Sequence, residues 1–267
     1  MRLFEAQKTG AAPRFFALTG QRAGGTLESG QTHRRNLMRK AGIIGGMGPA
    51  STLDYYSGII DGYRAAKNDG SYPSLTLESV NMAEMLAFVK LESWSPLVSM
   101  LLAAVRNLKN AGAEFAAIAA NTPHIVFREL EEKSPLPLVS IVEATCRFAA
   151  DAGCARVIIL GTKFTMTSGL YTEIFPRYGI EALIPDWEGR EFVHSMIFPR
   201  LADGIVDPED KEDMIEFAEE LIRNSHADAV VLGCTELPLM LRPGDLSVPA
   251  LDTAQIHIAA IVREMLK

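Results

Sequence analysis

The chain has 267 residues, 48% of them apolar, enough to bury one large core or two modest ones, and no run of 18 apolar residues that could span a membrane. Its three cysteines and five scattered histidines lack CxxC, HExxH and HxH spacing, which argues against a disulfide framework, a structural zinc or a metal enzyme and for a reducing compartment. The net charge of −7 is uneven: residues 1–40 carry eight Lys/Arg against Glu5 and Glu28, and the remaining 18 basic and 31 acidic residues do not make the basic face of a nucleic-acid binder.

The basic head opens the chain. Its longest apolar stretch, "RFFAL", is too short for the core of a secretory signal. Residues 1–37 read as a disordered or transit-like extension, or as sequence ahead of a true start at Met38. Ordered pattern begins there, with "MRKAGIIGGMGP".

From Lys40 onward short apolar runs alternate with longer amphipathic ones. Strands are predicted at 41–46, 74–80, 115–120, 137–141, 156–161, 181–184, 228–233 and 247–251. Helices are predicted at 52–66, 95–111, 142–152, 168–178, 208–224 and 253–266. Strand–helix alternation implies parallel sheets covered on both faces, and eight such strands can also close a barrel. An internal repeat argues against the barrel. "GIIGG" (42–46) returns as "IILGT" (158–162), "AIAANTP" (117–123) as "VVLGCTE" (230–236), and "SIVEATCRFAA" (140–150) as "PALDTAQIHIAA" (249–260). The fold class expected is therefore α/β, with two pseudo-symmetric four-stranded parallel-sheet domains related by internal duplication. Residues 38–141 plus 251–267 form the first, and 142–250 the second.

In parallel sheets ligands sit at the carboxyl ends of strands. Four such ends carry polar or glycine-rich turns: Gly45–Pro49, Ala120–Pro123, Gly161–Lys163 and Gly233–Glu236. In the second, Thr122 reads as an N-cap and Pro123 as the first helical residue, a helix start that favours an anion. Asn-Thr-Pro alone is an ordinary helix start, but four turns in repeat-related pairs point to a cleft for a carboxylate or phosphate. "GGMGPAS" breaks the GxGxxG dinucleotide pattern at Ser51 and places Pro49 at the helix entry, so it does not read as a nicotinamide site. Lys163 lacks the surroundings of a pyridoxal phosphate lysine and reads as solvated or anion-steering. Cys146 and Cys154 read as small buried hydrophobes. Cys234 follows a strand and precedes a Thr-Glu helix start, where a helix N-terminus is expected to lower the thiol's pKa.

"IGGMGPAST", "NTPH", "LGTKFTM", "HSMIF", "GCTELPL" and "LDTA" resemble the aspartate/glutamate racemase superfamily, most closely its aspartate racemase-like branch, over about Met38 to Lys267. The resemblance implies a cytoplasmic, cofactor-independent homodimer acting on a small amino acid or dicarboxylate, with no metal, nucleic acid or membrane. It implies one cysteine per domain on opposite sides of the substrate Cα. Removing a proton from one face and returning it to the other needs a group on each, which would explain a turn built twice.

Here the pattern is incomplete. Ala120 stands where the family's first cysteine is expected, while Cys234 occupies the second position. Three readings stay open: one-base chemistry completed by Thr122 or water, one-sided chemistry as in the superfamily's arylmalonate decarboxylases, or a disabled copy that binds without turnover. By the resemblance Asn121, Thr122, Thr235 and Glu236 orient the α-carboxylate and ammonium, and Met47 and Gly48 line the floor. The family's distal-carboxylate arginine is absent from "SVNMAEM", where Asn81 is the polar candidate. Ala202 stands near the expected lysine, leaving Lys163 or Arg200 to meet a second carboxylate.

Overall fold

A computed structural model of the chain describes residues 38–267, and the basic extension at 1–37 lies outside the described residues. Strands β1 (Ala41–Gly45), β2 (Leu75–Ser79), β3 (Phe115–Ile118) and β4 (Leu138–Val139) form one all-parallel sheet in the order β2-β1-β3-β4. Strands β5 (Arg156–Leu160), β6 (Glu181–Leu183), β7 (Ala229–Leu232) and β8 (Ala250–Asp252) form a second in the order β6-β5-β7-β8. This is the two-sheet α/β architecture expected from the repeat, not a barrel. The central strands β1, β3 and β7 are buried at every residue, because helices cover both faces of each sheet.

The repeat survives as register. Ile44 pairs with Ile118 in the first sheet and Leu160 with Leu232 in the second, at offsets of 116 and 114 residues. One residue later the same bond closes each sheet: Ala119 N–H donates to the Ile44 carbonyl at 2.9 Å, and Gly233 N–H to that of Leu160 at 2.7 Å.

Ten α-helices are found among the described residues: α1 (Pro49–Lys67), α2 (Met82–Lys90), α3 (Trp94–Asn110), α4 (Phe127–Lys133), α5 (Ile141–Asp151), α6 (Lys163–Thr167), α7 (Trp187–Ile197), α8 (Pro208–Ser225), α9 (Leu237–Met240) and α10 (Thr253–Met265). Helices α2 and α7 were not expected from periodicity. Their signal is in the caps: Asn81 accepts from Ala83 and Glu84 N–H, and Asp186 from Gly189 N–H. The helix expected at 168–178 is instead a run of turns and a 3₁₀ turn at Phe175–Tyr178, following the short α6. Gly169, at φ +80°, leaves the helical region directly after α6, and Pro176 has no N–H to continue a ladder.

The two halves exchange a helix. Helix α5 follows β4 yet packs Ile141, Cys146 and Ala149 with Val157, Ile159 and Val231 of the second sheet. Helix α10 follows β8 yet packs Ile258, Ile261 and Met265 with Ala41, Ile43 and Phe115 of the first. Helices α5 and α10 also lie against each other, so apolar burial joins the halves along their seam. Among the described residues no helix is long and apolar enough to cross a membrane.

Candidate active site at the seam of the two halves

The site is built from strand-end turns. At the end of β1 the chain reverses through Gly46, at φ +86°, where a Cβ would come within 2.4 Å of the Val80 carbonyl, so only glycine fits. Met47 follows, buried, and then Gly48, directly ahead of α1. A Cβ at Gly48 would lie 3.8 Å from Glu236 Oε1, which brings the GGMGP turn of one half against the GCTE turn of the other. Ala120 and Cys234 each stand one residue beyond the matched hydrogen bonds of Ala119 and Gly233, so the repeat-related positions occupy the same place in their sheets.

Cys234 is buried, and its S–H donates to Glu236 Oε2 at 2.8 Å. The expectation that a helix start would lower its pKa is corrected here. Burial, followed by the adjacent Glu236 carboxylate, pushes the thiol well above its ordinary value, and these effects outweigh the N–H groups of Glu236 and Leu237 that pull it down. Helix α9 has only four residues, which limits the field at its start. At neutral pH Cys234 is a protonated thiol, ready to give a proton.

Around Ala120 the turn is held from behind. Ile141 N–H donates to His124 Nε2 at 3.2 Å, so Nδ1 carries the hydrogen and donates to the Ala120 carbonyl at 2.9 Å. His257 Nε2–H donates to the Val139 carbonyl at 2.9 Å, and its Nδ1 accepts from the Tyr55 hydroxyl at 2.8 Å. Burial lowers both imidazoles, His124 to about 3 and His257 to about 4 from an ordinary 6.5, with His257 adding to the shift of His124.

Both histidines stay neutral when folded but take up protons when unfolded. The stability they contribute is therefore complete above 6.5 and is lost as pH falls toward these lowered values. At about pH 5 the loss is on the order of 2 kcal/mol for each. Urea unfolding at neutral pH and at about pH 5 should show it, with a shallower dependence in His257→Gln, whose amide keeps a donor for Val139. Stability that holds or rises on acidification would contradict the assignment.

Asn121 does not lie open to solvent. Its Oδ1 accepts from the Tyr171 hydroxyl at 2.6 Å, and its Nδ2 donates to Thr253 Oγ1 at 3.2 Å. Thr122, expected as an N-cap, is the first residue of the 3₁₀ turn Thr122–Val126. Asn121 holds the cap position with helical backbone and no side-chain cap bond, and Pro123 is second in the turn rather than first. The Thr122 hydroxyl therefore makes no capping bond, and it has no hydrogen-bond partner among the described residues. Thr235 is half-buried beside Cys234.

The two cations proposed for a second carboxylate both have carboxylate partners in the chain. Lys163 pairs with Glu191 on α7. Arg200 is bound by Asp207 at 2.7 Å and Asp210 at 2.8 Å. Asn81 is exposed and caps α2. Tyr171, Thr253, His124 and His257 received no role from the sequence, although Tyr171 repeats Tyr55 at the same 116-residue offset as β5 repeats β1. No group of three or more His, Cys, Asp or Glu among the described residues is arranged to hold a metal ion.

Known proteins share this fold. An aspartate racemase homologue from Pyrococcus horikoshii OT3 is 37% identical, with a TM-score of 0.78 over 86% of this chain and 100% of its own. The aspartate racemase of Picrophilus torridus, 24% identical with a TM-score of 0.65 over 85% of this chain and 94% of its own, repeats the fold. The broad-specificity amino-acid racemase of Bacillus subtilis (strain 168) is 26% identical over 219 residues, 80% of this chain and 92% of its own. The model of the Asp/Glu/Hydantoin racemase family matches residues 44–261, a span that contains all four strand-end turns. With the family model matched over most of the chain and two parallel sheets in one order, this chain belongs to the Asp/Glu/hydantoin racemase family.

Proposed function

We propose that this protein transfers protons at the Cα of a small amino acid, as a racemase-like enzyme that uses no organic cofactor and has Cys234 as its acid/base. The carrying observation is the Cys234 thiol, buried just beyond β7, with its S–H donating to Glu236 Oε2 at 2.8 Å. Proton transfer at a carbon acid needs a positioned partner, and Glu236, which already accepts the S–H hydrogen bond, can take the proton from sulfur as the thiolate forms. Turn N–H groups beside the sulfur can stabilise the enolate-like charge on the substrate carboxylate. Since Lys163 and Arg200 both have carboxylate partners, the reading does not require an acidic substrate side chain. The broad-specificity relative supports testing neutral amino acids beside aspartate and glutamate.

One observation favours a second reading. Only one of the two repeat-related positions carries a thiol, and burial keeps that thiol protonated. A one-faced proton donor suits a lyase in which carbon dioxide leaves a malonate-type substrate and Cys234 protonates the resulting enediolate. Exchange of the Cα hydrogen in deuterated water separates the cases. Exchange with inversion supports racemisation, and exchange with retention supports one active face. No exchange on any amino acid, with carbon dioxide released from a substituted malonate, would replace the first reading by the second.

A further inference from the structure

A buried chain of side-chain hydrogen bonds crosses between the halves and joins the two turns described above. Tyr171 has its ring in the core of the second sheet, beside Phe175, and its hydroxyl reaches the first half, where it donates to Asn121 Oδ1 at 2.6 Å. The Asn121 amide donates onward to Thr253 Oγ1 at 3.2 Å, and the Thr253 hydroxyl donates to the Leu232 carbonyl at 2.9 Å. Tyr171 and Thr253 are fully buried and Asn121 is 6% exposed, so water does not compete for these bonds.

The direction of the chain follows from chemistry. The Leu232 carbonyl can only accept, so Thr253 spends its hydrogen there and must accept from the amide nitrogen of Asn121. The amide oxygen then faces Tyr171, which has a hydrogen to give. Two of its members lie next to the paired turn positions: Asn121 directly follows Ala120, and Leu232 lies two residues before Cys234. One bond holds the amide oxygen and the other the amide nitrogen, so together they fix its plane.

We propose that Tyr171 and Thr253 are positioning residues: through Asn121 they lock the amide in one orientation and set the spacing of the Ala120 and Cys234 turns across the seam. This rests on the proposed reading of those turns as the reacting site. The repeat adds a contrast. Tyr55 stands at the position equivalent to Tyr171, but its hydroxyl goes to His257, so the repeat does not build the same bond twice.

The test compares Tyr171→Phe, Thr253→Val, Thr253→Ser and the Tyr171→Phe/Thr253→Val double variant. Each is followed by melting, by Cα hydrogen exchange, and by the rate at which iodoacetamide labels Cys234. Cys146 and Cys154 serve as internal references. Tyr171→Phe and Thr253→Val should each lower exchange by about ten- to one-hundred-fold, the scale expected for a misplaced reacting group. Thr253→Ser should recover most of what Thr253→Val loses. The double variant should lose little more than the worse single variant, because both cut one bridge. Cys234 labelling should rise in both single variants while labelling of the reference cysteines stays level.

A purely structural role would lower the melting temperature with turnover per folded molecule and Cys234 labelling unchanged, and that result overturns the proposal. Multiplicative losses in the double variant would overturn it as well. If the parent chain exchanges no amino acid, the racemase-like reading falls, and the labelling pattern still decides whether the bridge positions Cys234.

Discussion

Cys234→Ser is expected to lower turnover by about 10²–10⁴-fold, the usual contribution of a positioned acid/base, while the protein stays folded. A serine hydroxyl has nearly the shape of the thiol and can still donate to Glu236, so the packing with Leu237 and Met240 should survive. What changes is acidity, because an aliphatic hydroxyl holds its proton far more tightly than sulfur. Cys146 provides the contrast. It is buried between α5 and the second sheet, and burial, then Glu143, pushes it up to about 12. Cys146→Ser should therefore leave turnover in place. The raised pKa of Cys234 adds a second measure: alkylation should be slow at neutral pH and keep climbing above the ordinary thiol range, since only the thiolate reacts. Near-parental turnover in Cys234→Ser would make the thiol structural and remove the proposed mechanism.

The second large effect is expected at Ala120. Its methyl group transfers no proton, yet it occupies the place in the first sheet that Cys234 occupies in the second. Ala120→Cys should create or raise racemisation by about 10²-fold or more, because it supplies an acid/base to the face that lacks one. Ala120 is buried in a cluster with Met47 and Val126, so a sulfur directed into that cluster would cost about 1–3 kcal/mol in overpacking. A sulfur directed into the seam would cost less, and the melting temperature reports which occurs. The parent, with a thiol at only one of the two repeat-related positions, should show weak or one-sided exchange. Inversion of aspartate, glutamate and several neutral amino acids should be measured for both proteins. If Ala120→Cys folds and binds substrate but gains nothing on any of them, two-base chemistry is not latent in this cleft and the lyase reading takes its place.

Much of the fold was legible because its causes are local. Apolar runs of four to six residues made β1, β3, β5 and β7 visible, with glycine closing all but β3, since a strand buried on both faces needs little but apolar side chains. Repeat offsets of 116 and 114 residues reappear unchanged as sheet register. Helices α2 and α7 escaped because their evidence lay in the caps Asn81 and Asp186 rather than in periodicity.

The sequence by itself determined the two-sheet duplication, the four strand-end turns and the asymmetry between Ala120 and Cys234, because each is written in consecutive residues. Only the tertiary structure decided how those residues are engaged. Cys234 reads locally as an activated thiol, but burial and the orientation of the Glu236 carboxylate hold its proton in place. Lys163 and Arg200 read as free cations until Glu191, Asp207 and Asp210 are brought beside them. Asn121 reads as a ligand-binding amide until Tyr171, 50 residues away, and Thr253, 132 residues away, close on it. Burial and through-space pairing set the charge and free valence of a side chain, and both exist only once the chain is folded.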